Sequence, residues 1–144
     1  MFERILVVCT GNICRSPVAE AMLKQRCPSK VIASAGLGAL VGQGLEPTAR
    51  RLAEADGLEV SDHTSRQLTQ EMLQQTDLVL VMSDGQRRAV GELSSAALGK
   101  TMLLGHWLEN GAKEIPDPYQ KSEAAFRHVH HLLTQATNAW ATKL

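Results

Sequence analysis

Aromatic residues are scarce: Phe2, Trp107, Tyr119, Phe126 and Trp140 are the only five in 144 residues, although 44% of the chain is hydrophobic. The core must therefore be built mostly from aliphatic side chains, and any exposed ring becomes a candidate for function. Net charge is absent too. Fifteen Lys and Arg face fifteen Asp and Glu, and each half of the chain balances separately. That excludes the broad basic field of a nucleic-acid binder and the acidic tail of a charged adaptor. Long apolar runs are missing: Ile5 to Cys9 is cut off by a Gly11-Asn12 turn, too short for a signal-peptide core or a membrane span. Three cysteines, Cys9, Cys14 and Cys27, are an odd number and too few for a secreted disulfide framework. A reducing cytoplasm is the expected setting, with cysteine reactivity of more interest than cysteine pairing. No repeat or low-complexity linker interrupts the chain, and its length predicts a single domain over residues 1–144.

Short, partly β-branched apolar runs at Ile5 to Cys9, Val31 to Ala35, Leu78 to Met82 and Thr101 to Leu104 show little polar alternation and predict buried parallel strands. Helical patterns lie between and after them: Pro17 to Arg26, Pro47 to Asp56 with Gly57 as the stop, Thr69 to Gln75, and Gln86 to Leu93. From Ser122 to Trp140 an N-cap serine is followed by Ala125, Phe126, Val129, Leu132, Leu133, Ala136 and Trp140 on one face. The alternation predicts an α/β fold: a doubly wound four-stranded parallel sheet with helices on both faces. Such sheets bind ligands beyond the carboxyl ends of their strands.

The first predicted strand runs directly into Cys9-Thr10-Gly11-Asn12-Ile13-Cys14-Arg15-Ser16-Pro17. Gly11 and Asn12 tolerate left-handed backbone, so the chain can curl and aim successive N–H groups at one point. Ser16 is expected to cap the next helix, with Pro17 at its first position, which turns that helix's positive end toward the loop. The curl reads as a phosphate-binding cradle. Arg15 adds a planar fork matched to phosphate oxygens. At the bottom of the cradle, Cys9 would feel the loop dipoles, the helix terminus and Arg15, all of which favour a negatively charged sulfur. Such a sulfur is a nucleophile placed to take a phosphoryl group covalently. Asp117 is held between Pro116 and Pro118, which restrict its backbone; read alone, Pro-Asp-Pro is more often a turn than an acid catalyst.

From Cys9 to Pro17 the sequence resembles, residue by residue, the signature Cys-x-Gly-Asn-x-Cys-Arg-Ser-Pro of the low-molecular-weight protein tyrosine phosphatases. The similarity covers essentially the whole chain, through Ser34-Ala35-Gly36, His63 with Arg66-Gln67, and Asp117-Pro118-Tyr119. The segments Gly36 to Gly42 and Gly105-His106-Trp107 resemble the bacterial branch associated with capsule and exopolysaccharide export. The resemblance implies a cytoplasmic, monomeric phosphotyrosine phosphatase needing no metal or other cofactor. Cys9 would be the nucleophile, Arg15 and the loop from Thr10 to Cys14 would bind the phosphoryl group, and Asp117 would act as acid and then base. Tyr119 would line the slot for a flat aromatic ring. Asn12, Ser34 and His63 would brace the loop, and Ser16 would stabilise the departing thiolate. The implied partner is a phosphotyrosine protein, namely an autophosphorylating bacterial tyrosine kinase. Two positions depart from the family: Leu40 stands where the opposite wall is often aromatic, and Gln120 where eukaryotic members carry a second ring. A more aliphatic mouth is expected. Cys14, close to Cys9 in a tight loop, offers a second chemistry: a disulfide after oxidation of the Cys9 thiolate to sulfenic acid.

Other signals are weaker. His128, His130 and His131 do not all share a helix face, so a metal site is not expected. Gly36-x-Gly38-x-x-x-Gly42 has the wrong spacing for a dinucleotide loop. Cys27 reads as an inert thiol, Trp107 and Trp140 as packing residues, and Arg87-Arg88 as a solvated pair. Three rival functions remain. An arsenate reductase-like redox enzyme needs later cysteines, and none follows Cys27. A protein arginine phosphatase would carry Thr in place of Ile13. A non-catalytic phosphotyrosine-binding module would not need Cys9, Arg15 and Asp117 together.

Overall fold

The computed structural model describes residues 2–109 and 113–144. Its strands are β1 (Arg4–Cys9), β2 (Val31–Gly36), β3 (Leu78–Val81) and β4 (Thr101–Leu103), all parallel, in the spatial order β2-β1-β3-β4. The helices are α1 (Arg15–Arg26), α2 (Pro47–Ala55), α3 (Gln70–Gln74), α4 (Asp84–Leu93) and α5 (Glu123–Ala141). Alternate residues of the central strands serve two cores. Ile5, Val7 and Cys9 of β1 face the side covered by α1, α2 and α5, whereas Leu6 and Val8 face Leu73 of α3 and Val90 of α4. Both faces of β1 and β3 are therefore dry, and period-2 polarity is absent from their sequences for that reason. From β1 the chain goes first to β2 on one side and then to β3 on the other. That reversal leaves a crevice at the carboxyl end of β1, and the Cys9 loop occupies it.

Local signals fix most helix ends as expected. Thr69, Ser83 and Ser122 each accept a backbone N–H as side-chain caps of α3, α4 and α5, and Gly57 takes φ +76° just past α2. The start of α1 differs. Its N-cap is Cys14, with no side-chain cap, and the helix begins at Arg15. Ser16 therefore does not cap; it lies inside the first turn with Pro17, where a missing N–H costs nothing. Two 3-10 turns, Ser95–Lys100 and Leu104–Trp107, carry no periodic signal and were not legible.

The segment after β2 is tied to the Cys9 loop. The N–H groups of Leu37, Gly38 and Leu40 donate to the carbonyls of Cys9, Thr10 and Gly11 at 3.0, 3.0 and 3.1 Å. This close approach needs a glycine at position 36, where a Cβ would stand 2.5 Å from the Thr10 carbonyl oxygen and 3.1 Å from the Ala39 Cα. Backbone on both sides cannot step aside. Gly36→Ala should lower stability by about 1–3 kcal/mol in urea unfolding; a loss below ~0.5 kcal/mol would show that the two segments are not clamped as described.

Candidate active site

Five consecutive carbonyls of the loop point outward and are satisfied there. To those of Cys9, Thr10 and Gly11 are added Asn12, whose carbonyl accepts from His63 Nε2 at 2.6 Å and Ser65 Oγ at 2.7 Å, and Ile13, which accepts from the Glu46 N–H at 2.8 Å. In a trans peptide the N–H opposes the C=O. The amides of Thr10, Gly11, Asn12, Ile13 and Cys14 therefore face inward, into a bowl that opens at the N-terminus of α1. Of the two residues expected to take left-handed backbone, only Asn12 does, at φ +59°. At Gly11 a Cβ would make only ordinary van der Waals contact, 3.6 Å from the Ile13 side chain and 3.9 Å from Leu40.

Asn12 is 0% exposed and fully used. Its Oδ1 accepts the Arg66 N–H at 3.0 Å, which fixes the amide orientation, and its Nδ2 donates to Ser16 Oγ at 2.8 Å and Ser34 Oγ at 3.0 Å. Ser34 passes its own hydrogen to Glu20 Oε1 at 2.5 Å. Because Ser16 Oγ accepts from Asn12, its hydroxyl hydrogen is free for Cys9 Sγ, 2.9 Å away. Arg15 is buried; its guanidinium donates through Nη1 to the Ile115 carbonyl at 2.8 Å, and Nη2 lies 3.7 Å from Asp117 Oδ2. Its Nε has no hydrogen-bond partner, the one such buried side-chain atom among the described residues. A buried N–H beside a bowl of amide donors is a donor set matched to an oxyanion. The Asp117 segment is itself docked by the Ile115 N–H on the Met82 carbonyl, 2.9 Å, at the end of β3.

Cys9, Thr10, Gly11, Ile13, Cys14, Arg15, Leu40, Asp117 and Tyr119 line one pocket of about 190 Å³, together with Gly38. Asn12, Ser16, Ser34 and His63 stand behind it as its support. Leu40 and Tyr119 are exposed at the mouth, giving one aliphatic and one aromatic wall. Burial pushes the Cys14 thiol from its ordinary 9.0 up to about 12, with the negative charge of Glu46, Cys9 and Asp117 adding to the effect and Arg15 opposing it. Glu20, Ser65, Glu46 and Gln86 were not singled out from sequence. Gln86 accepts the Met82 N–H at 2.8 Å and donates to Thr10 Oγ1 at 3.3 Å, joining β3 to the loop. A buried glutamine one turn into a helix carries no motif; only its burial marks it.

Residues 4–144 match the family model described as "Low molecular weight phosphotyrosine protein phosphatase", and the chain belongs to that family. It is a protein tyrosine phosphatase, a hydrolase acting on phosphoprotein, and it falls with the bacterial Wzb type. The Salmonella typhimurium low molecular weight protein-tyrosine-phosphatase Wzb is 46% identical over all of this chain and 95% of its own. The tyrosine phosphatase Wzb of Escherichia coli K30, solved in complex with sulphate, is 48% identical and superimposes with a TM-score of 0.96 over 99% of each chain. Vibrio vulnificus Wzb, solved in complex with benzylphosphonate, is 44% identical with a TM-score of 0.96 over the whole of both chains. Among the described residues no helix is long and apolar enough to cross a membrane.

Two measurements follow from the loop. Asn12→Ala loses the amide bonds and forces alanine into a left-handed backbone, whereas Asn12→Gly loses the bonds alone. Both should unfold at lower urea, and the alanine variant should be the less stable by about 1 kcal/mol; the reverse order would contradict the assigned backbone. Between pH 9.0 and about 12 the folded protein keeps a Cys14 proton that the unfolded chain has lost. Stability should therefore fall as pH rises through that window, and Cys14→Ser should flatten the decline; identical slopes in the two proteins would contradict it.

Proposed function

We propose that this chain, acting as one catalytic domain, hydrolyses phosphotyrosine through a phosphocysteine on Cys9. The observation that carries the reading is the unpartnered Arg15 Nε beside a ring of inward amides, in the residue that lines one pocket with Cys9, whose sulfur receives the Ser16 hydroxyl. Arg15 and the amides from Thr10 to Cys14 hold the phosphoryl oxygens while Tyr119, Leu40 and Ile13 flank the ring. The Cys9 thiolate attacks phosphorus, the S–P bond forms as the bond to the phenolic oxygen breaks, and Asp117 hands its proton to that oxygen. In the second step the Asp117 carboxylate takes a proton from water, the water oxygen bonds phosphorus, and the S–P bond breaks. The Ser16 hydroxyl then stabilises the returning thiolate. The relatives solved with sulphate and with benzylphosphonate carry a tetrahedral oxyanion and an aryl-methyl phosphonate, which suits this seat and its apolar walls.

The partner we infer is an autophosphorylating tyrosine kinase of bacterial polysaccharide export, met by a monomeric enzyme in the cytoplasm. The Wzb and AmsI relatives support that branch, and three free cysteines suit a reducing compartment. Cys14, which lines the same pocket as Cys9, would on losing its proton attack a Cys9 sulfenic acid, forming a disulfide as the S–O bond breaks and hydroxide leaves to take up a proton as water.

Cys9→Ser should abolish release of phosphate from p-nitrophenyl phosphate in the presence of chelator, and Asp117→Asn should slow it by roughly 10²- to 10⁴-fold. Acid-quenched turnover of the native protein should carry phosphorus on Cys9, read by mass spectrometry. Turnover surviving in Cys9→Ser, or phosphorus found on another residue, would overturn the assignment.

A further inference from the structure

A second groove lies on the other side of the Asp117 segment. Its volume is about 800 Å³, against about 190 Å³ for the catalytic pocket, and both are lined by Arg15 and Asp117. The ridge between them is the run Ile115-Pro116-Asp117. The far wall is α5, through Leu132 and Ala139, and the near wall is Trp107, the last residue of the 3-10 turn, with Leu108 after it. A p-nitrophenyl or phenyl ring seated over Cys9 is too small to reach beyond that ridge; a polypeptide carrying the phosphotyrosine must cross it or turn away.

The groove's charged lining is Glu109, Glu114 and Asp117 against Arg15, an excess of carboxylate that disfavours an acidic flanking side chain. Glu114 Oε2 is engaged by the Asp84 N–H at 2.8 Å, and outside the lining Lys113 Nζ donates to the Leu108 carbonyl at 2.7 Å while Lys143 Nζ sits 4.5 Å from the Trp107 ring centre. What distinguishes the groove is Trp107. In a chain with five aromatic residues, this indole is 38% exposed. It is also held rigid, edge-on to Trp140 at 5.7 Å and 75° and to His106 at 4.6 Å and 89°. Trp140 is itself pinned, Nε1 donating to the Leu104 carbonyl at 2.8 Å. A fixed, half-exposed indole beside aliphatic side chains is what a binding anchor requires: apolar area offered without ordering cost.

We propose that this groove is a second recognition site of the phosphatase, seating an uncharged apolar side chain that flanks the phosphotyrosine in the substrate polypeptide. The proposal rests on the catalytic pocket holding the phosphotyrosine, since the two cavities lie side by side and share Arg15 and Asp117 as lining. The flanking side chain packs on Trp107 and Leu132 while the backbone crosses the Pro116-Asp117 ridge.

The test compares two phosphotyrosine peptides, one with leucine and one with serine at the flanking positions on both sides, alongside p-nitrophenyl phosphate. The native protein should favour the leucine peptide by roughly tenfold in kcat/KM, the share one partly buried apolar side chain supplies. Trp107→Ala should bring that ratio close to one while turnover of p-nitrophenyl phosphate stays within about twofold. Because Trp107 packs on Trp140, a second variant guards against misfolding: Gln135→Trp, at an exposed position of the same groove, should block it with the same outcome. In Cys9→Ser protein, the leucine peptide should also shift tryptophan fluorescence where inorganic phosphate alone does not. A native enzyme indifferent to the flanking residue, or a preference that survives both variants, overturns the second site. A native protein that fails on p-nitrophenyl phosphate overturns the catalytic reading instead, so the two failures are distinct.

Discussion

Every feature of the site depends on five successive peptide carbonyls being turned outward and held there. A backbone that curls to gather its N–H groups at one point puts like dipoles side by side, which is unfavourable until an anion arrives. The chain meets that cost from outside the loop. Amides of Leu37, Gly38, Leu40 and Glu46 and the side chains of His63 and Ser65 take up the carbonyls from Cys9 to Ile13, so the bowl is shaped before any oxyanion enters. Asn12 adds the pivot, combining a left-handed backbone with three side-chain bonds that lead to Ser16, Ser34 and Arg66.

The sheet supplies the place and the helix supplies the field. Because β1 sits between β2 and β3, the segments that follow all three strands converge over its end: Leu37 to Leu40 after β2, Gln86 and Ile115 against β3. Arg15 at the first turn of α1 is buried by that convergence, and its guanidinium ties the loop to the Asp117 segment through the Ile115 carbonyl. The Cys9 loop, Arg15 and Asp117 are thus positioned by one web of backbone contacts. At Cys14, burial and nearby negative charge keep the sulfur a thiol.

Much of this was legible in the sequence because local chemistry carried it. The four apolar runs became the four strands, and the Cys9 to Pro17 segment became the bowl with Arg15 and Asp117 at its edge. Ser16 was misplaced because a serine before a proline at a helix start reads as a cap; here the helix begins two residues earlier and frees the hydroxyl for Cys9. Gly11 was expected to share the left-handed turn with Asn12, but the curl needs only one such residue. Gln86, Glu20 and Ser65 were invisible, since their roles come from residues 76, 14 and 53 positions away and no local pattern reports such contacts.

The most direct test is an amide NMR titration with inorganic phosphate. If the N–H groups from Gly11 to Cys14 face the bowl, their resonances move downfield together, saturate with one dissociation constant, and leave the amides of Leu37 and Gly38 nearly unmoved, because those two already donate to the loop carbonyls. Shifts confined to residues outside the loop, or loop amides that respond with unrelated affinities, would contradict a preformed cradle.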